Sequence, residues 1–102
     1  MSSHEAVVRM RHMLDHAREA VAFVGGKTRA DIDADRLLSL ALVRLLEVVG
    51  EAANRVPTNE QARHPGIPWP EVVGLRNHLV HGYDQVDFDI LWKIVPSQGA
   101  GA

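Results

Sequence analysis

At 102 residues the chain has room for one modest hydrophobic core and too little for two ordinary domains. Eleven Lys+Arg against thirteen Asp+Glu give a net charge of −2, which excludes a protein that coats nucleic acid through bulk positive charge; any RNA contact must be local. The absence of cysteine excludes disulfides and thiolate zinc sites, and a residue set that is 46% hydrophobic but only 5% aromatic leaves Leu, Val and Ala to fill the interior.

From about Ser3 to Val24, apolar Val7, Met10, Met13, Leu14, Ala17, Val21 and Val24 recur at steps of three and four, with charged residues mostly between them, which predicts an amphipathic first helix. Gly25-Gly26 ends it, and Thr28 or Asp31 is placed to cap the next. A second helix is expected from about Asp33 to Arg55, its middle from Leu37 to Val49 apolar on nearly every face. Such a helix needs cover all round, which predicts a homodimer built partly on that surface.

Four of the five prolines fall between Pro57 and Pro70, giving a structured loop in which Thr58-Asn59-Glu60 can cap one short turn and Ile67-Pro68-Trp69-Pro70 forms a rigid lead into the next helix. Val72, Val73, Leu75, Leu79 and Val80 predict that third helix, from Pro70 to His81. A last helix is expected from Asp87 to Val95, burying Ile90, Leu91, Trp92 and Ile94. The sum is an all-α, up-and-down bundle of four to five helices, with residues 1–96 as a single domain and 97–102 as a flexible tail. No cationic leader precedes an apolar core near Met1, and no apolar run approaches the ~18 residues of a membrane span; the expectation is a cytoplasmic protein with no membrane contact.

The chemistry concentrates in Arg76-Asn77-His78-Leu79-Val80-His81-Gly82-Tyr83. Arginine offers phosphate oxygens a planar, permanently cationic fork, and histidine moves a proton near neutral pH. Five positions apart, Arg76 and His81 would diverge by about 140° on an unbroken helix. Convergence therefore needs the helix to stop near His81, where Gly82 suits a C-terminal turn, or a second protomer to complete the site. In metal-free RNA cleavage one group takes the 2′-hydroxyl proton, a cation steadies the phosphoryl oxygens, and another group protonates the leaving 5′-oxygen. Two copies of the motif at one groove would supply two His81 and two Arg76 side chains. The bland alternative pairs Arg76 with Asp84, makes His81 a helix cap and leaves Tyr83 a half-buried ring.

Other ionisable groups carry less. His12 and His16 have metal-compatible i, i+4 spacing but no clear carboxylate partner, so a solvated helix face is the plainer reading. His78 shares a face with His81 as a second proton carrier, a phosphate contact or a packed side chain. Glu47 and Glu51 lack the Glu-x-x-His element of carboxylate metal sites, and Arg44 and Arg55 stand within one turn to neutralise them. No metal or cofactor is expected.

Arg76, His81 and Tyr83 fill every position of Arg-x4-His-x-Tyr, and with them the chain resembles the HepT-like ribonuclease toxins of the HEPN superfamily, which are small, all-helical and homodimeric. Arg44 to Asn54 is similar to that family's second-helix signature, and Ile67-Pro68-Trp69 with Val73 to Asn77 to its approach to the site. The likeness runs from about Met10 to Val95. It implies a metal-independent endoribonuclease with Arg76 and His81 catalytic, Asn77 and His78 supporting, and RNA, possibly tRNA, as substrate at a composite dimer site. It also implies a type VII toxin–antitoxin system, in which an MntA-type nucleotidyltransferase antitoxin silences the toxin by AMPylation of Tyr83. The alternative is a non-catalytic helical subunit that binds RNA or nucleotide within a nucleotidyltransferase complex. Family members continue past Ile94 into a longer C-terminal helix, where Pro96 here opens a Gly/Ala-rich stretch.

Overall fold

The computed structural model describes residues 3–75 and 89–94, and within them every regular element is helical. Two long helices, α1 (Ser3–Val24) and α3 (Arg36–Asn54), make the most extensive packing in the fold. Four short ones accompany them: α2 (Arg29–Ala34), α4 (Thr58–Gln61), α5 (Trp69–Val73) and α6 (Asp89–Ile94). None is long and apolar enough to cross a membrane among the described residues.

The periodicity sets α1 in place, but its buried seam is built from smaller residues than the apolar spacing suggests. Ala6, Met13, Ala17 and Ala20 are buried, whereas Val7 and Val8 are 58% and 42% exposed. Alanine lets a helix axis come close to its neighbour, so the small side chains take the contact and the valines are pushed to the flank. The helix stops at Gly25, and Gly26 adopts φ +73, a left-handed conformation that glycine reaches without strain. Lys27 N–H then donates to the Val24 carbonyl at 3.0 Å.

Thr28 caps α2 reciprocally. Its hydroxyl accepts from Asp31 N–H at 3.1 Å and its own N–H donates to the Asp31 carboxylate at 2.9 Å, holding that carboxyl below its ordinary pKa. The single helix expected from Asp33 onward is divided at Asp35. That residue, extended at φ −107, ψ 98, closes α2 through its N–H to the Ile32 carbonyl (3.2 Å) and opens α3 through its side chain, which accepts from Leu38 N–H at 3.0 Å. Ser39 Oγ also donates to the Ile32 carbonyl at 2.7 Å. An aspartate that satisfies the ends of two helices at once outcompetes their continuation.

Helix α3 buries Leu42, Leu45, Leu46, Val49, Gly50, Ala52 and Ala53. Part of its apolar surface remains open, with Leu37 81% and Leu40 54% exposed. Pro57, rather than a side-chain oxygen of Thr58, begins α4, which makes no side-chain cap bond. Helix α5 starts after Pro68 and ends at Gly74, so the third helix expected from Pro70 is interrupted there; its stretch from Arg76 to His81 lies outside the described residues. Helix α6 packs on α1, and its Ile90 and Ile94 join Val72 and Leu75 in one core. The suggested Asp87 cap and the 97–102 tail lie outside the described residues.

Candidate active site

Arg76, Asn77, His78, His81 and Tyr83, with Gly82 and Asp84, lie outside the described residues, so what is on view is the frame that delivers them. Leu75, immediately before Arg76, has no exposed surface, and Val72 one turn earlier has none either. On the far side Ile90 is 7% exposed and Ile94 1%. Both flanks of the motif are thus fixed in the same hydrophobic cluster, at roughly 1.5–3 kcal/mol of burial per side chain.

A polar lock sets the near flank. Gln61 Nε2 donates to the carbonyls of Ala53 (3.4 Å), at the end of α3, and Val56 (3.2 Å), just past it. The Gln61 carbonyl in turn accepts from Trp69 Nε1 at 3.0 Å, and that indole proton is shared with the His64 carbonyl at 3.1 Å. The end of α3, the proline-rich stretch and the first residue of α5 are joined by these four contacts. Sequence reasoning singled out the prolines and Trp69 but not Gln61; the signal was a long amide in a proline-rich segment, whose acceptors come from the end of α3 and the residues just past it.

Beside the lock, Glu60 holds His64 Nε2 at 3.0 Å and Arg63 at 3.5 Å. Arg63 is largely exposed, so the pairing with it contributes little stability. Glu60 and His64 also line an apolar cleft of about 390 Å³ with Met10, Leu14, Ile67 and Ile94.

The remaining candidates separate. His16 Nδ1 lies 2.8 Å from the His12 carbonyl, and the two rings meet edge to face at 5.4 Å, which turns His16 toward its own helix backbone. Arg44 does not pair with Glu47 within ion-pair distance; ion pairs among the described residues include Asp15–Arg18, Glu60–Arg63 and Glu60–His64. Arg44 instead lines a cleft between α1 and α3 with Arg9, His12, Glu51 and Arg55, a grouping that spacing along either helix alone does not reveal. No group of three or more His, Asp or Glu suited to a metal ion occurs among the described residues.

Comparison with known proteins places this frame. Residues 13–98 match the family described as Ribonuclease HepT-like, a span that takes in most of α1, the whole lock and the motif. The chain is 32% identical over 95 residues to a "Putative RNase" of Methanocaldococcus jannaschii, covering 93% of this chain and 87% of that protein. A "Putative RNase" of Caldanaerobacter subterraneus subsp. tengcongensis is 33% identical over 84% of this chain and 77% of its own. The "Probable ribonuclease HepT" of Thermococcus cleftensis is 36% identical over 80% and 78% respectively. No solved structure matches the chain. With the match covering well over half its length and relatives above 30% identity spanning most of both partners, the chain belongs to the ribonuclease HepT-like family.

Proposed function

We propose that this protein is a metal-independent endoribonuclease, the toxin of a type VII toxin–antitoxin pair, acting in the cytoplasm as a homodimer. The observation that carries the reading is Arg76-x4-His81-x-Tyr83 inside the family match. Residues 1–96 form its single domain and 97–102 its tail. Two motifs line one groove, and RNA, tRNA among the candidates, is the substrate. Arg76 clamps the phosphoryl oxygens, Asn77 orients the strand, and one His81 takes the 2′-hydroxyl proton. The freed oxygen attacks the adjacent phosphorus and the bond to the 5′-oxygen breaks. The partner His81, or His78, gives that leaving oxygen its proton, so the products are a 2′,3′-cyclic phosphate and a 5′-hydroxyl.

Tyr83 is the regulatory acceptor. An MntA-type nucleotidyltransferase transfers AMP from ATP to its hydroxyl with release of pyrophosphate, and the added bulk and negative charge repel RNA phosphates from the groove. The exposed Leu37 and Leu40 support the dimer, since contiguous apolar surface on a small domain calls for cover.

The test compares purified wild type with His81→Ala on total cellular RNA. The variant should lose about 10²–10⁴-fold in cleavage rate while keeping its helical content and melting behaviour. Incubation with ATP and the nucleotidyltransferase should silence the wild type and spare Tyr83→Phe. Unchanged cleavage by His81→Ala, or no cleavage of any RNA by the wild type, defeats the reading.

A further inference from the structure

A cleft between α1 and α3 is lined by residues to which the reaction above assigns no role. Its walls are Arg9 and His12 from α1, Arg44, Val48, Glu51 and Ala52 from α3, and Arg55 just past the end of α3. Arg9 and His12 are three apart on one helix face, and Arg44, Val48, Glu51 and Arg55 succeed one another at four, three and four along the other, so both walls present continuous stripes. Three arginines less one glutamate give the cleft a local charge of +2 with His12 neutral, while the whole chain carries −2; everything outside the cleft therefore sums to −4. Positive charge on an otherwise acidic surface focuses anions toward one place.

The cleft measures about 210 Å³, which is below the ~300 Å³ at which pockets begin to enclose a whole small-molecule ligand. It suits a single phosphate group whose attached sugars stay outside. Arg44, Arg55 and His12 are exposed and Arg9 is half-buried, so the guanidinium forks stand where a passing strand can meet them. None of the three arginines takes part in the Asp15–Arg18, Glu60–Arg63 or Glu60–His64 pairs. Glu51 is itself engaged in an interaction, and its single negative charge is already counted in the +2. Arg55 also stands at the end of α3 whose carbonyls hold Gln61, and through it Trp69 and the lead into the motif.

We propose that this α1–α3 cleft is a second phosphate-binding site for the RNA backbone, gripping the substrate strand through side chains other than those of the motif. The inference rests on the ribonuclease reading for the identity of the strand, but not on the roles of Arg76 or His81. A strand held at two places gains affinity through effective concentration, so the cleft favours RNAs long enough to reach both and leaves the shortest substrates unaffected.

The experiment measures binding of a labelled single-stranded RNA to full-length His81→Ala, which keeps the probe intact, across a salt series. Arg44→Gln with Arg55→Gln removes one wall, and Arg9→Gln tests the other wall independently. Arg18→Gln with Arg36→Gln removes the same charge from exposed positions outside the cleft. The first variant should bind RNA about tenfold more weakly and lower the slope of log affinity against log salt by about 1.4, at ~0.7 for each lost contact to a single strand. Arg9→Gln should lower it by about 0.7, and the control pair should leave it unchanged. In the active background, cleavage of a dinucleotide should be unaltered while cleavage of long RNA slows.

An unchanged slope in both cleft variants, or an equal loss in the control pair, overturns the proposal. A cleft variant that sediments as a smaller species than the parent also overturns it, because the cleft is then an interface between copies. Cleft-dependent RNA binding by a wild type that cleaves nothing supports the second site and ends the ribonuclease reading, so the two failures are separately visible.

Discussion

Trp69 divides one indole proton between two carbonyl oxygens, at 3.0 Å from Gln61 and 3.1 Å from His64, and is only 8% exposed. An apolar neighbour would serve the ring as well, so the polar contact is what fixes its angle. Trp69→Phe keeps most of the buried area and removes the donor; it should cost about 1 kcal/mol, read as a lower urea midpoint at unchanged slope. An unaltered midpoint would mean that the shared bond contributes nothing net. His16 shows a local case, since its ring nitrogen Nδ1 is engaged by the His12 carbonyl of its own helix 2.8 Å away. The motif residues were legible in the sequence as types and spacing. Gln61 was not, because an amide becomes a structural residue only when a remote helix end supplies acceptors for it.

Among the elements, α1 runs over the span its periodicity predicts, Ser3 to Val24, because Gly25-Gly26 leaves no ambiguity about its end. The break at Asp35 was hidden. Asp-Ala-Asp-Arg-Leu is compatible with a helix interior, and only the fold decides that the aspartate side chain serves Leu38 N–H instead. Asp35→Ala should destabilise the protein by about 1 kcal/mol in thermal or urea unfolding; a change below a few tenths would show that the cap is redundant with Ser39. Helix α3 also changes character along its outer face. Leu37 and Leu40 make the first half apolar, and Arg44, Glu47, Glu51 and Arg55 make the second half charged. Hydrophobic content alone predicted cover all round the helix, whereas the charged half faces a cleft that accepts solvent.

For the molecule as a whole, the fold class followed from composition: with 5% aromatics and abundant Leu, Val and Ala, helices are the simplest way to close a core. Which apolar residues form that core did not follow, since the α1 seam chose alanines over Val7 and Val8 for closeness rather than for hydrophobicity. The outward Leu37 and Leu40 carry the assembly prediction. Leu40→Glu should convert the proposed dimer to monomer in sedimentation velocity and, if two motifs form one groove, abolish RNA cleavage with the monomer still folded. A variant that stays dimeric would move the contact elsewhere on the surface.

The main helix pair also bears on how the protein comes into being. Helices α1 and α3 are near neighbours in the chain and are finished by Asn54, whereas Arg76 to Tyr83 come later. The contact therefore joins segments that lie close together in the chain, so the loop it closes is short and its formation is fast. That largest contact draws on none of the motif residues, so substitutions at Arg76, His81 or Tyr83 leave the side chains that build the helix pair in place.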